Sequence, residues 1–287
     1  MTTVRLGIST CPNDTFAFHG LMTGAVDRRG VDYAIELLDV QELNEGLAAG
    51  AFDAAKASFH AAIRMSDRYG VFRSGSALGF GVGPLLLAAG PTGEPRDAWH
   101  DLGGNHRPFR VLCPGEATTA HLLYRLFYGH GEIAQVVFSE IMPALRDGTA
   151  DYGVCIHEGR FTWAQQGLTR IADLGELWEA KTGVPLPLGG ILGRTDLPAE
   201  LLQRIGRTIG DSVRYGLEHR DETLPTMRHY AQEFDDEVLM SHVDLYVNDW
   251  TVDLGPIGAA ALAKLDELSR AAGLIPSDRP PLKILTD

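Results

Sequence analysis

A histidine and a carboxylate stand at the predicted end of a buried strand in the stretch Asp151–Phe161, DYGVCIHEGRF. The apolar run Tyr152–Ile156 predicts the strand, and His157 and Glu158 follow it directly. Open α/β sheets bind ligands at the carboxyl ends of their strands, and histidine is well suited to proton transfer near neutral pH. By itself, the stretch favours a histidine that only hydrogen-bonds into a loop. Because neighbouring side chains on an extended strand point to opposite faces, we expect Glu158 to be structural.

A second candidate segment, Lys56–Ala57–Ser58, closes a short predicted strand, Phe52–Ala57. Lys56 is the only cation in an apolar neighbourhood, which makes it a reasonable contact for an anion, although a solvated lysine is equally common. Ser58 stands where the following helix begins, and capping that helix is the favoured role for its hydroxyl. This segment therefore predicts either an anion contact or an ordinary strand end.

A third candidate is the turn Pro114–Thr119, PGEATT, which leaves the predicted strand Arg110–Cys113. It places Thr118 and Thr119 in the first turn of a helix, beside unpaired backbone N–H groups that suit a carboxylate or phosphate. A threonine-rich helix cap explains the same residues and is slightly favoured. The turn lacks the GxxxxGK[ST] spacing of a P-loop, and no GxGxxG fingerprint or metal-ligand cluster is apparent, so we expect no metal.

The turn Ser9–Phe16, STCPNDTF, brings small polar side chains to the end of the first predicted strand. A helix capped by Asn13 or Asp14 explains it as well as a ligand-facing loop does, and the two are compatible. Cys11 has no evident partner histidine, so we expect an inert thiol rather than a nucleophile.

The elements that must position these residues alternate between strands and helices, as in parallel βαβ units. The predicted strands are, in chain order, Val4–Ser9, Val31–Leu38, Phe52–Ala57, Arg110–Cys113, Gln135–Phe138, Tyr152–Ile156 and Leu168–Leu174. Helices are predicted between most of them, and the pattern is helical from Pro198 onward. The chain thus contains two α/β sets and a helical end.

The predicted crossing between the two sets is the Gly-, Pro-, Asp- and His-rich segment 90–109, and the predicted return is Pro185–Gly193. This order is typical of two-lobed periplasmic-type binding proteins. It predicts a discontinuous first lobe of residues 1–90 and 195–287 and an inserted second lobe of residues 91–194. Such an α/β fold binds its ligand in a cleft between the lobes and closes over it.

Composition narrows the classes of partner. The chain has 287 residues, 45% of them hydrophobic, and a formal net charge of −13. Without a basic patch we expect neither nucleic acid nor a membrane surface as partner, whereas a small anionic ligand needs only a few donors in a pocket. No apolar run approaches the ~20 residues of a membrane span, and the N-terminus lacks a signal-peptide pattern. Three widely spaced cysteines fit neither a disulfide framework nor a zinc site, so a reduced, cytoplasmic protein is expected.

Seven stretches together resemble one enzyme family. They are STCPNDTFAFHGLMTG, KASFHA, RSGSALGFGVGP, PGEATTA, IHEGRFTW, DLGELWEAKTGVPLPLGGIL and YVNDWTVDLG. In this order along most of the chain, they are similar to the 1,4-dihydroxy-6-naphthoate synthases of the futalosine route to menaquinone. That family has the two-lobed periplasmic-binding-protein fold of type II, in agreement with the order of elements.

The resemblance implies a cofactor-free lyase that acts on a small anionic substrate. Such an enzyme converts cyclic dehypoxanthine futalosine into 1,4-dihydroxy-6-naphthoate and releases a dihydroxyacetone-type fragment. The resemblance implies that His157 is the catalytic base. The family's substrate contacts fall on Lys56, Ala57, Ser58, Thr118 and Thr119, and Asn44 stands in a matching position at the start of the second helix.

The chain departs from the family pattern at a few positions. The family often has proline where Thr10 stands, an aromatic residue followed by alanine at Phe59–His60, and serine at Gly159. None of these departures touches the proposed base. His60 changes the wall beside the segment Lys56–Ser58.

Three other functions fit parts of the sequence. A binding protein that carries a small anion has the same fold, but the missing signal peptide opposes it. The chorismate dehydratase of the same route is a sister enzyme, yet its pattern lacks the CPNDTF turn and the IHE segment, both of which are intact here. A regulator's effector domain is disfavoured because no DNA-binding helix pair precedes the first strand.

Overall fold

The structure, a computed structural model, describes residues 2–90, 109–157, 159–231 and 235–286. The strands are β1 (Thr2–Ser9), β2 (Val31–Leu38), β3 (Ala54–Ser58), β4 (Tyr69–Val71), β5 (Ala77–Gly79), β6 (Leu85–Ala89), β7 (Arg110–Cys113), β8 (Glu132–Gln135), β9 (Tyr152–Cys155), β10 (Leu168–Asp173), β11 (Leu186–Arg194) and β12 (Lys283–Ile284). Glu158 and all but the two ends of the predicted crossing 90–109 lie outside the described residues.

Helices connect the strands and fill the C-terminal third of the chain. They are α1 (Pro12–Ala17), α2 (His19–Thr23), α3 (Val40–Ala49), α4 (Phe59–Arg64), α5 (Thr119–Phe127), α6 (Phe138–Arg146), α7 (Gly159–Thr162), α8 (Leu174–Thr182), α9 (Ala199–Glu218), α10 (Arg220–Tyr230), α11 (Asp236–Tyr246), α12 (Asp249–Val252) and α13 (Gly255–Ala271). Within the described ranges, no helix is both long and apolar enough to cross a membrane.

The chain forms two compact units. Unit 1 comprises Met1–Val82, Ala117–Thr119 and Val184–Asp287, and unit 2 comprises Gly83–Glu116 and Ala120–Gly183. These units differ from the predicted lobes at strands β6 and β11 and at the short segment Ala117–Thr119, which lies in unit 1. Strand β6 belongs to unit 2 because it pairs with β9 and β10, and β11 belongs to unit 1 because it pairs with β3, β4 and β5.

Unit 1 contains a mixed sheet whose described strands run in the order β12–β4–β11–β3–β1–β2, with β5 paired to β11. Strand β1 is parallel to β2 and β3, as the alternating strands and helices predict, whereas β11 is antiparallel to β3. Helix α9 packs an apolar stripe into the core of this unit at Leu202, Ile205, Ile209 and Val213, a spacing of three and four residues. Strand β3 therefore lies inside the sheet, between β1 and β11.

Unit 2 contains a smaller sheet, with its described strands in the order β10–β6–β9–β7–β8. Strand β9 lies at its centre, antiparallel to β6 and parallel to β7. All four residues of β9 are buried, and Ile141 and Leu145 of α6 pack on this sheet. Strand β9, which ends two residues before His157, thus lies between two strands, and its last residue, Cys155, pairs with Leu85 of β6.

The ends of three helices show how far residue type predicts where a helix begins or ends. Aspartate is a preferred N-cap residue, and Asp235 caps α11: its carboxylate accepts hydrogen bonds from the N–H groups of Glu237 and Val238. Gly50 ends α3 in the left-handed conformation, which glycine adopts readily at the end of a helix. Asp221 is of a capping type as well but does not cap α10, because that helix begins one residue before it and His219 occupies the cap position.

Candidate active site

Lys56 forms a buried ion pair with Asp14. Its ammonium donates to Oδ1 of Asp14, and the two side chains are only 8% and 3% exposed. Asp14 also accepts from the backbone N–H of Ser9 at 3.3 Å and from the amide of Asn13 at 2.9 Å. The predicted helix cap by Asn13 or Asp14 is wrong, because Pro12 already begins α1 and Cys11 is its cap residue. The carboxylate instead neutralises a cation on the neighbouring strand.

The ion pair continues into a longer polar chain. Oδ1 of Asn13 lies 3.1 Å from Nε2 of His242, a buried residue of α11. The imidazole of His242 also contacts the ring of Tyr246, with 4.5 Å between centroids. Sequence reasoning missed Asp14 as a partner of Lys56 and missed His242 altogether. A signal for the first was present, since a lone lysine in an apolar strand needs a counter-charge when it is buried.

Ser58 is held by Asn44, a buried residue of α3. The backbone N–H of Ser58 donates to Oδ1 of Asn44 at 3.0 Å, and the Asn44 amide donates to the Ser58 hydroxyl at 3.3 Å. The predicted cap role of the Ser58 hydroxyl is wrong, because it makes no capping hydrogen bond to α4. Asn44 instead orients the serine with both ends of its amide.

Strand β3 is packed closely against β11 at Ala57, the residue between Lys56 and Ser58. Ala57 is fully buried, and a Cβ atom added to Gly189 would lie 2.6 Å from the Ala57 carbonyl oxygen and 3.4 Å from Cε of Lys56. Only glycine fits this approach, which explains one glycine of the PLPLGGIL stretch. Ala57 can offer a ligand hydrogen bonds only through its main-chain atoms.

Thr118 and Thr119 adjoin this segment through His60, which is 5% exposed. The His60 N–H donates to Oγ1 of Thr119 at 3.4 Å, and its Nδ1 lies 3.3 Å from the Thr118 carbonyl oxygen. The Thr119 hydroxyl in turn donates to the carbonyl of Leu188 at 2.6 Å. Unit 1 thus brings together Lys56, Ala57, Ser58, Asn44, Thr118 and Thr119, and the Thr119 hydroxyl is already engaged within the protein.

His157 lies in unit 2, in the turn between β9 and α7. Its φ angle is 56°, in the left-handed region that non-glycine residues seldom adopt. The N–H of Gly159 donates to the carbonyl of Ile156, and the N–H of Arg160 donates to the carbonyl of His157, both at 3.2 Å. The imidazole is half-buried and meets the ring of Phe138 edge to face, with 4.8 Å between centroids. Backbone strain of this kind is concentrated at functional sites.

Two of the three cysteines are poor candidates for a nucleophile. Cys113 and Cys155 are buried, and burial raises the pKa of each thiol to about 12. Since the thiolate is the reactive form, these two thiols are unreactive near neutral pH. Among the described residues, no group of three or more His, Cys, Asp or Glu side chains could hold a metal ion.

Comparison with known proteins identifies relatives over the whole chain. The chain is 42% identical to 1,4-dihydroxy-6-naphthoate synthase of Thermus thermophilus over 282 residues, which cover 98% of this chain and 99% of that protein. It is 39% identical to the enzyme of the same name from Streptomyces coelicolor, with 96% of this chain and 95% of that protein covered.

Solved structures show the same fold. A protein from Archaeoglobus fulgidus, 29% identical, superposes with a TM-score of 0.86 over 95% of this chain and 98% of its own. A Candida albicans protein with the generic periplasmic-binding-protein fold superposes with a TM-score of 0.66 at 12% identity, covering 100% of this chain and 99% of its own. The predicted periplasmic-binding-protein fold is therefore confirmed. A family model described as menaquinone biosynthesis matches residues 4–271, and the chain belongs to that family.

Proposed function

We propose that this protein is a 1,4-dihydroxy-6-naphthoate synthase. In this proposal it is a lyase that converts cyclic dehypoxanthine futalosine into 1,4-dihydroxy-6-naphthoate and releases a dihydroxyacetone-type fragment. The observation that carries the proposal is the 42% identity, over almost the full length of both chains, to the Thermus thermophilus enzyme of that name. The buried polar residues of unit 1 and the strained histidine of unit 2 supply side chains that suit this chemistry.

His157 is the proposed base. A neutral imidazole accepts a proton from the substrate, electrons move toward a carbonyl, and the bond to the sugar-derived fragment breaks. The imidazolium then returns the proton to the departing fragment, which leaves with the sugar carbons, and the neutral base is regenerated. Formation of an aromatic ring supplies much of the driving force, and because oxidation states are redistributed within the substrate, the proposal needs no redox cofactor. A positioned base of this kind contributes ~10²–10⁴-fold to the rate.

The proposed substrate contacts lie around β3 and the turn before α5. We assign Ser58 and Lys56 to the oxygen-rich end of the substrate. Because the Lys56 ammonium is paired with Asp14, it adds no net charge there and is not assigned to the carboxylate. The aryl carboxylate is assigned to the segment Thr118–Thr119. Because the Thr119 hydroxyl is bonded to Leu188, we assign its contact to the main chain. Asn44 acts indirectly, by holding Ser58.

Turnover of the pure substrate tests the proposal. Purified protein is incubated with cyclic dehypoxanthine futalosine, and the products are followed by mass spectrometry. The expected result is the naphthoate and a three-carbon fragment from the wild type. His157→Asn should lower kcat ~10²–10⁴-fold, whereas the exposed His229→Asn should leave it unchanged.

Each alternative gives a different result. Retention of the futalosine compound without any product would indicate a binding protein and overturn the proposal. Dehydration of chorismate in a parallel incubation would indicate the sister enzyme. Wild-type turnover by His157→Asn would remove the histidine from the role of base while leaving the reaction assigned.

A further inference from the structure

We propose that Arg160 and Asp173 are positioning residues that hold the turn carrying His157. This inference rests on the proposed function insofar as it concerns catalysis, because it takes His157 as the base. It concerns residues three and sixteen positions after that histidine, neither of which belongs to the predicted contacts. All the interactions that support it lie within unit 2.

The turn cannot hold itself. Its histidine has a φ of 56°, and the helix that follows, α7, spans only the four residues Gly159–Thr162. A single helical turn gains too few hydrogen bonds to be stable alone, so it needs tertiary contacts. The backbone N–H of Arg160 closes the turn on the His157 carbonyl at 3.2 Å. Whatever fixes Arg160 therefore fixes the histidine as well.

The Arg160 guanidinium reaches two fixed points. Nη1 donates to the backbone carbonyl of Gly83, and Nη2 donates to Oδ2 of Asp173 at 2.6 Å. The side chain of Asp173 is 0% exposed and that of Arg160 is 17% exposed. Charged groups that are buried to this extent persist only when they are paired and hydrogen-bonded, and both conditions hold here.

Asp173 divides its two carboxylate oxygens between two tasks. While Oδ2 accepts from Arg160, Oδ1 accepts from the N–H groups of Gly175 at 2.8 Å and Glu176 at 3.2 Å, which caps α8. The aspartate thereby joins the histidine turn to the start of a nine-residue helix. Its position is set by the cap, so Arg160 meets an acceptor that cannot readily move.

The second fixed point, Gly83, is equally confined. A Cβ atom on Gly83 would lie 2.1 Å from the backbone nitrogen of Gly175, so two backbones meet there with no room for a side chain. The N–H of Leu174 also donates to the carbonyl of Pro84 at 2.9 Å. Arg160 thus spans from the histidine turn to a junction at which the start of β6 is locked against the start of α8.

The experiment separates positioning from simple stabilisation. Asp173→Asn keeps an N-cap side chain, since asparagine caps as well as aspartate, but removes the charge that meets Arg160. Arg160→Lys keeps a cation without the planar fork. Arg170→Gln, which removes an exposed ion pair with Glu176 in the same unit, is the matched control. For each protein we would measure kcat, KM, thermal unfolding and the imidazole NMR resonance of His157, identified by its loss in His157→Asn.

A displaced base lowers the chemical step more than binding, and a shift of about 1 Å costs about 100-fold. We therefore expect Asp173→Asn and Arg160→Lys to lower kcat ~10–100-fold with KM within about twofold. The His157 resonance should move in both variants and remain in place in Arg170→Gln. In Arg160→Ala, added guanidinium ion should restore part of the lost kcat, which a globally destabilised protein would not show.

Two results would overturn the inference. The first is kcat within twofold of wild type and an unmoved His157 resonance in folded Asp173→Asn and Arg160→Lys. The second is a raised KM with unchanged kcat, which would make Arg160 a substrate contact. Failure of the proposed function looks different: the wild type would not turn over the futalosine compound, yet the resonance shift in Asp173→Asn would still establish the positioning contact.

Discussion

The segment Lys56–Ser58 ends the buried strand β3, and the turn around His157 follows the buried strand β9, but different kinds of contact hold the two regions. Lys56 and Ser58 are held through their side chains, by the Asp14 carboxylate and the Asn44 amide. His157 stands on a main chain held in the left-handed conformation, and its imidazole contacts the ring of Phe138. In the first region the polar side chains bond to other residues of the protein. In the second region a half-buried imidazole stands on a constrained main chain.

This difference suits two tasks. A binding surface gains from donors that cannot rotate, because the entropy of ordering them is lost on folding rather than on binding. A base must stay in position while it accepts and releases a proton, and a constrained main chain serves that purpose. We expect substitutions around Lys56–Ser58 to change stability and KM together. Substitution of His157 itself should change kcat more than KM.

The largest expected effect on stability comes from breaking the buried ion pair. Asp14→Asn preserves shape but leaves the Lys56 ammonium buried without a counter-charge, and removing one partner of such a pair costs about 3–5 kcal/mol. Urea unfolding would measure the loss. The double substitution Asp14→Asn with Lys56→Met should recover a large part of it, because no unpaired charge then remains.

An exposed ion pair provides the control for this prediction. Lys264 and Glu267 are paired at 2.9 Å on the surface of α13. Glu267→Gln should cost no more than about 0.5 kcal/mol. Equal losses for Asp14→Asn and Glu267→Gln would show that Lys56 escapes to solvent in the variant, and the first region would then be less rigid than its contacts indicate.

A smaller loss is expected where a neutral partner is removed. Asn44→Ala deprives Ser58 of the acceptor for its N–H and of the donor to its hydroxyl, which should cost about 2–3 kcal/mol. KM should rise as well, because the hydroxyl is then free to rotate. Ser58→Ala is the comparison, since it keeps the N–H bond to Asn44 and should cost only about 1 kcal/mol. If Ser58→Ala proved the more destabilising of the two, the hydroxyl rather than the backbone bond would be the anchor.

Residue types and their order predicted much of the fold. Alternating strands and helices indicated parallel βαβ units, and β1, β2 and β3 are parallel neighbours. The antiparallel entry of β11 between β3 and β4 is different, because nothing local in PLPLGGILG specifies its partners. The predicted lobe boundaries differ from the two units for the same reason, since strand pairing joins residues that are far apart in sequence.

The candidate residues were located by type and family pattern, but their partners were not. Asp14 and Lys56 are separated by 42 positions, and Asn13 and His242 by 229, so no spacing rule connects them. Local rules also misassigned two side chains. Aspartate and serine are typical capping residues, yet the side chains of Asp14 and Ser58 bond to buried partners on other elements. An ion pair or an amide contact in the core outweighs a cap at a six-residue helix.

The Thr119 hydroxyl lies beside the segment Lys56–Ser58, to which His60 joins it. Thr119→Val preserves volume but removes the hydroxyl bonded to Leu188 and His60, so we expect a loss of about 1–2 kcal/mol in unfolding free energy. Thr119→Ser retains the hydroxyl and should stay nearer to wild type. KM should change little in either variant, because the hydroxyl already serves the protein. A large rise in KM for Thr119→Val without any loss of stability would instead make the hydroxyl a substrate contact.

The smallest expected effect reports on the strain at His157. Asparagine tolerates the left-handed region better than alanine, so His157→Asn should be more stable than His157→Ala by about 0.5–1 kcal/mol. Both variants lose the ring contact with Phe138, so the difference between them isolates the backbone. Arg207 is an exposed position inside α9 and serves as the control. There we expect Arg207→Ala to be more stable than Arg207→Asn, because alanine is the better helix former by about 0.6 kcal/mol. If His157→Ala proved at least as stable as His157→Asn, the turn would have relaxed to an ordinary conformation in the absence of the histidine. The strain would then come from the imidazole and its contacts, and not from the backbone frame.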